Sequence, residues 1–262
     1  MILLRPLSFL LAMAATNVAA QAPDTVVLLH GLGRTSASMA RIAHTLRHEG
    51  YQVVNLSYPS RRQSIEALAT EWLPAQLRSR ALVPDPALAA GKAAAPDPSE
   101  PPAPAPAGPR LHFVTHSMGG ILVRLWLREC GPPAQLGRVV MLAPPNAGSE
   151  LPDRLESCVF FHWFTGRNGR RLGTGADSLP RALGPWPAAA ADLGIVAGDR
   201  PLIPLLATWL SGPNDGKVTV AATHLAGERD HLVLPFSHTW IGWRRETIAQ
   251  VSAFLRAGHF TR

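Results

Sequence analysis

The apolar run Leu111-His112-Phe113-Val114-Thr115 stops at His116-Ser117-Met118-Gly119-Gly120 and gives way to a helical pattern, Ile121 to Leu127. Strand, sharp turn with serine at its apex, then helix is a demanding unit. Few folds can hold it, because both the strand and the helix must be buried on either side of one exposed residue. Such a turn lifts the serine Oγ clear of the backbone. It also sets the hydroxyl at a helix N-terminus, where free N–H groups and the dipole favour negative charge. A serine displayed in this way needs a base, an acid to orient the base, and hydrogen-bond donors for an oxyanion.

The rest of the chain alternates short apolar strands with amphipathic helices. Thr25 to Leu29, Gln52 to Leu56, Arg138 to Leu142, Leu193 to Val196 and His231 to Leu234 read as strands. Helical spacing covers Ser36 to Glu49, with Ser36 as N-cap and Gly50 as stop; Ile65 to Leu77, with a kink expected at Pro74; Ile121 to Glu129; and Thr247 to Leu255. Continuous apolar strands between such helices predict an α/β fold, a mostly parallel sheet with helices on both faces. Ligands bind at the carboxyl ends of such strands. His30, Ser117, Ala143-Pro144 and His238 all fall just after strands, so they converge on one edge.

With 262 residues, 47% of them hydrophobic, the chain suits one large domain. Residues 1–20 read as a signal peptide. Arg5 supplies a positive start, Phe9 to Ala15 an apolar stretch too short to span a bilayer, and Val18-Ala19-Ala20 a small-residue cleavage site. The expectation is an exported protein, periplasmic or secreted, with residues 21–262 as its folded domain. The net charge of +7 rests on scattered arginine pairs, and Lys92 and Lys217 are the only lysines. No basic run is interleaved with aromatics, so no nucleic-acid partner is expected. Peripheral contact with an anionic membrane stays open. Cys130 and Cys158 are too few for a disulfide framework; one bridge or two free thiols fit equally.

Two segments break the alternation. Val83 to Arg110 is rich in Pro and Ala and reads as a flexible insertion. Gly148 to Pro187 is irregular and carries the cluster Phe160-Phe161-His162-Trp163-Phe164. It reads as a cap over the pocket, with a core-packed excursion as the alternative. In the first reading Phe160, Phe161, Trp163 and Phe164 contact substrate.

A serine hydroxyl is a poor nucleophile until a histidine takes its proton and a carboxylate fixes the imidazole. One known arrangement around such a serine runs serine, acid, histidine along the chain, and that order is the expectation here. His238 follows the last strand and precedes the last helix, where that order requires the base; a solvent-exposed loop histidine is the alternative. His231 opens a strand on the wrong edge, His224 sits in a less defined segment, and His259 lies past the closing helix. Asp215, in Asn214-Asp215-Gly216-Lys217, is the first choice of acid and Asp199 the second, although Asp-Gly also marks ordinary turns. The oxyanion donors expected are the N–H of Met118, next to the serine, and that of Leu32, in the turn His30-Gly31-Leu32-Gly33 after the first strand.

Taken together, His30-Gly31-Leu32-Gly33, Thr115-His116-Ser117-Met118-Gly119-Gly120, Ala143-Pro144-Pro145-Asn146-Ala147-Gly148-Ser149, Asn214-Asp215-Gly216-Lys217-Val218 and Ser237-His238 resemble the α/β-hydrolases of the small bacterial lipase/esterase type. The third motif is similar to the Thr-Pro-x-x-Gly-Ser loop of many lipases. The resemblance spans about Thr25 to Leu255 and departs from the pattern at Thr115, where glycine is usual. The first strand corresponds to the family's third, as in minimal lipases. The resemblance implies a serine esterase or lipase acting on a small-molecule or lipid ester through an acyl-enzyme, with no cofactor and no metal. An acyltransferase on the same triad, or an inactive binding protein on a hydrolase scaffold, are the alternatives.

Overall fold

Every residue of Thr25–Leu29 is buried, and the run has no polar face. A strand like this is stable only inside a sheet covered on both sides. The computed structural model describes residues 22–84, 108–155, 157–159, 165–187 and 191–262 and gives it that place. The signal-peptide stretch 1–20, all but the ends of the 83–110 insertion, and the aromatic cluster 160–164 lie outside the described residues.

Six strands form the sheet: β1 (Thr25–Leu29), β2 (Gln52–Leu56), β3 (Leu111–His116), β4 (Leu136–Leu142), β5 (Leu193–Gly198) and β6 (Asp230–Leu234). Their order is β2-β1-β3-β4-β5-β6, and every neighbouring pair is parallel. The chain runs out from β1 to β2, then returns to β3 on the other side of β1. The carboxyl ends of β1 and β3 therefore diverge, and the crevice between them is where such sheets bind ligands.

The helices and turns follow in chain order as α1 (Ala40–His48), α2 (Ile65–Ala67), α3 (Leu73–Arg78), α4 (Met118–Cys130), α5 (Glu150–Arg154), α6 (Asn168–Arg171), α7 (Leu179–Ala182), α8 (Pro204–Ala207), α9 (Val220–Thr223) and α10 (Arg245–Ala257). Alternate strand residues serve opposite faces. Val27, Leu29, Phe113 and Met141 pack with α3 and α4, while Val26, Leu28, Val114 and Val140 pack with α1 and α10. Phe254 of α10 is fully buried, with its ring so close over β5 that a Cβ at Gly194 would lie 2.6 Å from it. Burial of such a ring stabilises the fold by about 1.5–3 kcal/mol.

Several boundaries differ from the expected ones, each for a local reason. The first turn after Thr35 is a 3-10 turn, Ser36–Met39, so Ser36 lies inside it rather than capping it. Gly50, at φ +93°, stops the helix as expected. Just before Pro74 the helix widens into a π segment over Leu68–Trp72, where the Leu73 N–H reaches back to the Leu68 carbonyl. Proline has no N–H, and its ring crowds the carbonyl four residues earlier, so a wider turn just before it relieves both problems.

β4 starts at Leu136, ahead of the expected Arg138, because Gly137 hid its opening. A Cβ there would lie 2.6 Å from the His112 ring. That ring takes the place of a ladder bond: the Arg138 N–H donates to His112 Nδ1 at 2.7 Å, and the β3–β4 register shifts at this point. Cys130 and Cys158 are both free thiols. Among the described residues, no helix is long and apolar enough to cross a membrane.

Candidate active site

Ser117 separates β3 from α4 at φ +54° and ψ −124°. A side chain rarely adopts this backbone, and holding it costs about 1–3 kcal/mol. The strain is held by its surroundings. The Ser117 N–H donates to the Leu142 carbonyl at 2.8 Å. Gly119 lets α4 sit against the end of β1, where a Cβ would lie 2.8 Å from the Leu29 carbonyl oxygen. This is why α4 starts at Met118 and not at Ile121: two poor helix formers are required by close approach. Thr115 is fully buried at the position where the family pattern has glycine. It fits because Gly120 faces it, although its hydroxyl has no hydrogen-bond partner among the described residues.

His238 lies in the loop after β6 and is buried. Its Nε2 is 3.0 Å from Ser117 Oγ, and its Nδ1 is 2.7 Å from Asp215 Oδ2. The partners assign the tautomer: Nδ1–H donates to the carboxylate, and the Nε2 lone pair faces the serine hydroxyl. The other carboxylate oxygen of Asp215 accepts the N–H groups of Lys217 at 2.9 Å and Val218 at 2.8 Å. Asp199, the second choice of acid, makes its ion pair with Arg200 at 3.7 Å and does not reach His238. His231 is occupied elsewhere, bonded to the Thr223 hydroxyl and stacked on His224.

Two further contacts fix the backbone of His238. Its N–H donates to the Asp215 carbonyl at 3.0 Å, and His116 Nε2–H donates to the His238 carbonyl at 2.9 Å. Desolvation by burial, reinforced by the field of His238, holds His116 well below the ordinary histidine range. A neutral imidazole therefore lies beneath the His238 ring.

Opposite the serine, the turn His30-Gly31-Leu32-Gly33 is built on side chains that sequence reading missed. The N–H of Tyr58 donates to His30 Nε2 at 3.1 Å, and the Tyr58 hydroxyl donates to the His30 carbonyl at 2.5 Å. The two rings stack at 4.1 Å. Burial pushes the Tyr58 phenol up and, as the largest effect, pulls the His30 imidazole down. The Gly33 N–H donates to Ser60 Oγ at 3.0 Å, and the Arg34 N–H to the Gly31 carbonyl at 3.2 Å. Buried Asn168 ties the same region to α6, donating to the carbonyls of Ser60 and Gln63 and accepting from the Ile65 N–H. The one signal for these residues was position: Tyr58-Pro59-Ser60 follows β2 at the same edge as the other loops.

A pocket of about 230 Å³ opens onto Ser117 and His238. Its apolar wall includes Leu32, Pro145, Leu151, Leu172 and Val218, and Arg34 and Lys217 also line it. Leu151 and Leu172 come from the irregular 148–187 segment, so its described part forms one wall of the pocket. The four aromatic residues expected to contact substrate, Phe160, Phe161, Trp163 and Phe164, lie outside the described residues. Leu32 lines the pocket, and the Met118 N–H belongs to the first turn of α4, whose amides lack intrahelical acceptors. Among the described residues, no cluster of His, Cys, Asp and Glu could hold a metal ion.

No protein-family model matches the sequence, and no curated protein matches it. Solved structures do. The chain is similar to the Bacillus licheniformis lipase BlEst2 in its mature form, at 19% identity and TM-score 0.60 over 90% of this chain and 91% of that one. It is similar to the metagenomic carboxyl esterase MGS0156 at 18% identity and TM-score 0.56, over 90% and 68% of the two chains. The phospholipase PlaB from Legionella pneumophila matches at 19% identity and TM-score 0.54, over 76% and 45%. The chain has the α/β-hydrolase fold. At these identities the likeness carries the fold alone. Within the α/β-hydrolase fold, the six strands described include those that end at the serine, aspartate and histidine loops.

Proposed function

We propose that the chain is a serine hydrolase cleaving carboxylic esters, an esterase or lipase. Ser117 Oγ attacks the ester carbonyl as His238 Nε2 takes its proton. Asp215 holds the imidazole in place and stabilises the imidazolium. The N–H groups of Leu32 and Met118 receive the tetrahedral oxyanion. His238 then protonates the leaving alcohol, and water, activated by the same imidazole, releases the acid from the acyl-serine. The observation that carries this reading is the continuous path Ser117–His238–Asp215, with separations of 3.0 and 2.7 Å, whose Ser117 and His238 line an apolar pocket. Similar structures of a lipase, a carboxyl esterase and a phospholipase support it.

The test is hydrolysis of a p-nitrophenyl ester series from acetate to palmitate, with Ser117→Ala alongside. Serine-dependent turnover, falling by at least about ten-thousandfold in the variant, is expected. The chain-length optimum then separates esterase from lipase. If the folded protein turns over none of these esters, the reading fails. Export belongs to the same proposal and rests on the composition of residues 1–20. N-terminal sequencing of the protein from its native host is expected to start at Gln21.

A further inference from the structure

Arg34 and Lys217 line the pocket that holds Ser117 and His238. Their backbones are clamped by the site itself. The Arg34 N–H closes the oxyanion turn onto the Gly31 carbonyl. Asp215 Oδ1 accepts the Lys217 N–H, and Ser149 Oγ donates to the Lys217 carbonyl at 2.6 Å. Neither head group has a hydrogen-bond or ion-pair partner among the described residues. Asp215 is the carboxylate whose field reaches Lys217, but both its oxygens are taken by His238 and two amides.

Two cations facing one apolar pocket repel each other, and partial desolvation disfavours the charge on both. An anion between them would offset both effects. We propose that Arg34 and Lys217 form an anion subsite, so that the preferred substrate is an ester carrying a phosphate or carboxylate close to its scissile bond. The apolar wall takes the acyl chain, and the two cations take the charged part. This inference rests on the ester-hydrolase reading of Ser117, His238 and Asp215.

The experiment compares kcat/KM on matched anionic and neutral esters below their micelle concentrations. One arm sets hexanoyl-glycerol phosphate against hexanoyl-glycerol. The other sets 4-hexanoyloxybutanoate against butyl hexanoate. The anionic-to-neutral ratio is read within each enzyme preparation, so loss of folded protein cancels. Wild type is expected to favour the anionic ester by at least about tenfold in one arm or both, since a charged hydrogen bond contributes about that much.

Arg34→Met and Lys217→Met are each expected to lower the ratio about tenfold, with Lys217→Arg restoring it. The ratio is also expected to shrink between about 0.1 and 1 M salt, as screening shortens from ~10 to ~3 Å. Preference in the phosphate arm alone points to a lipid headgroup, and preference in the carboxylate arm alone to a soluble acid ester.

A ratio near one in wild type overturns the subsite. So does an equal loss on both esters in the variants, which would make the cations partners of the oxyanion only. Preference seen with phosphatidylglycerol vesicles over phosphatidylcholine vesicles, but absent from both monomer arms, overturns it in favour of general surface attraction. Loss of Ser117-dependent turnover on every ester, neutral ones included, is a separate result: it overturns the hydrolase reading beneath the inference.

Discussion

Asp215 and Asp199 both lie between β5 and β6, yet only Asp215 meets His238, at 2.7 Å. Asp215→Asn keeps an oxygen for the Lys217 and Val218 amides but no longer holds the donating tautomer of the imidazole. It is expected to lower kcat by about three to four orders of magnitude, with Asp199→Asn changing it less than about threefold. Steady-state kinetics on one ester decides between them, and comparable losses would reopen the choice of acid. That Ser117, Asp215 and His238 meet was legible in the sequence, because Ser117 and His238 follow strands and the three stand in the order serine, acid, histidine. Tyr58 was not, because nothing local marks a tyrosine that holds another loop's carbonyl. Tyr58→Phe leaves the His30 carbonyl buried without its donor, at a cost of about 1–3 kcal/mol in urea unfolding. It is also expected to slow turnover, since the turn carrying the Leu32 amide loses its support.

Among the elements, α4 carries the most consequence per residue. Its first turn must press against β1, and the glycine that permits this is the one a helix would otherwise reject. Gly119→Ala places a methyl 2.8 Å from the Leu29 carbonyl oxygen, and backbone cannot step aside as a side chain can. An expected stability loss of about 1–3 kcal/mol follows from overpacking. Displacement of the serine is expected to add a drop of about a hundredfold in kcat. Thermal unfolding and kinetics on the same preparation check both; an alanine variant of unchanged activity would show that α4 can shift without moving the nucleophile. The same tension between propensity and contact explains which boundaries were legible. Apolar runs such as Thr25–Leu29 announced themselves, whereas β4 opened on Gly137 and α4 on Gly119 and Gly120, residues whose local preference opposes the structure they join. The π segment before Pro74 could not be foreseen either, since a kink and a widened turn answer the same missing N–H.

Across the whole molecule, three buried histidines set the acid limit of the fold. Burial, as the largest cause, lowers His30, His112 and His116 below the ordinary value near 6.5. Below that pH the unfolded chain takes up protons that the native state refuses, so stability falls as pH falls, by at most about 1.4 kcal/mol per pH unit for each histidine. The thermal midpoint is expected to drop between pH 7 and 5, before the carboxylates titrate. A midpoint that stays flat across that interval would contradict the burial of neutral imidazoles. Further consequences follow from the bond between His116 and the His238 carbonyl. His116 and Ser117 are consecutive residues at the end of β3. The first grips the backbone of His238, and the second faces its ring. Ser117 and His238 thus share one anchorage, although they lie far apart along the chain. When the loop after β6 drifts, the strand end that grips it sets the gap between Ser117 Oγ and His238 Nε2, much as a caliper keeps its opening wherever it is carried.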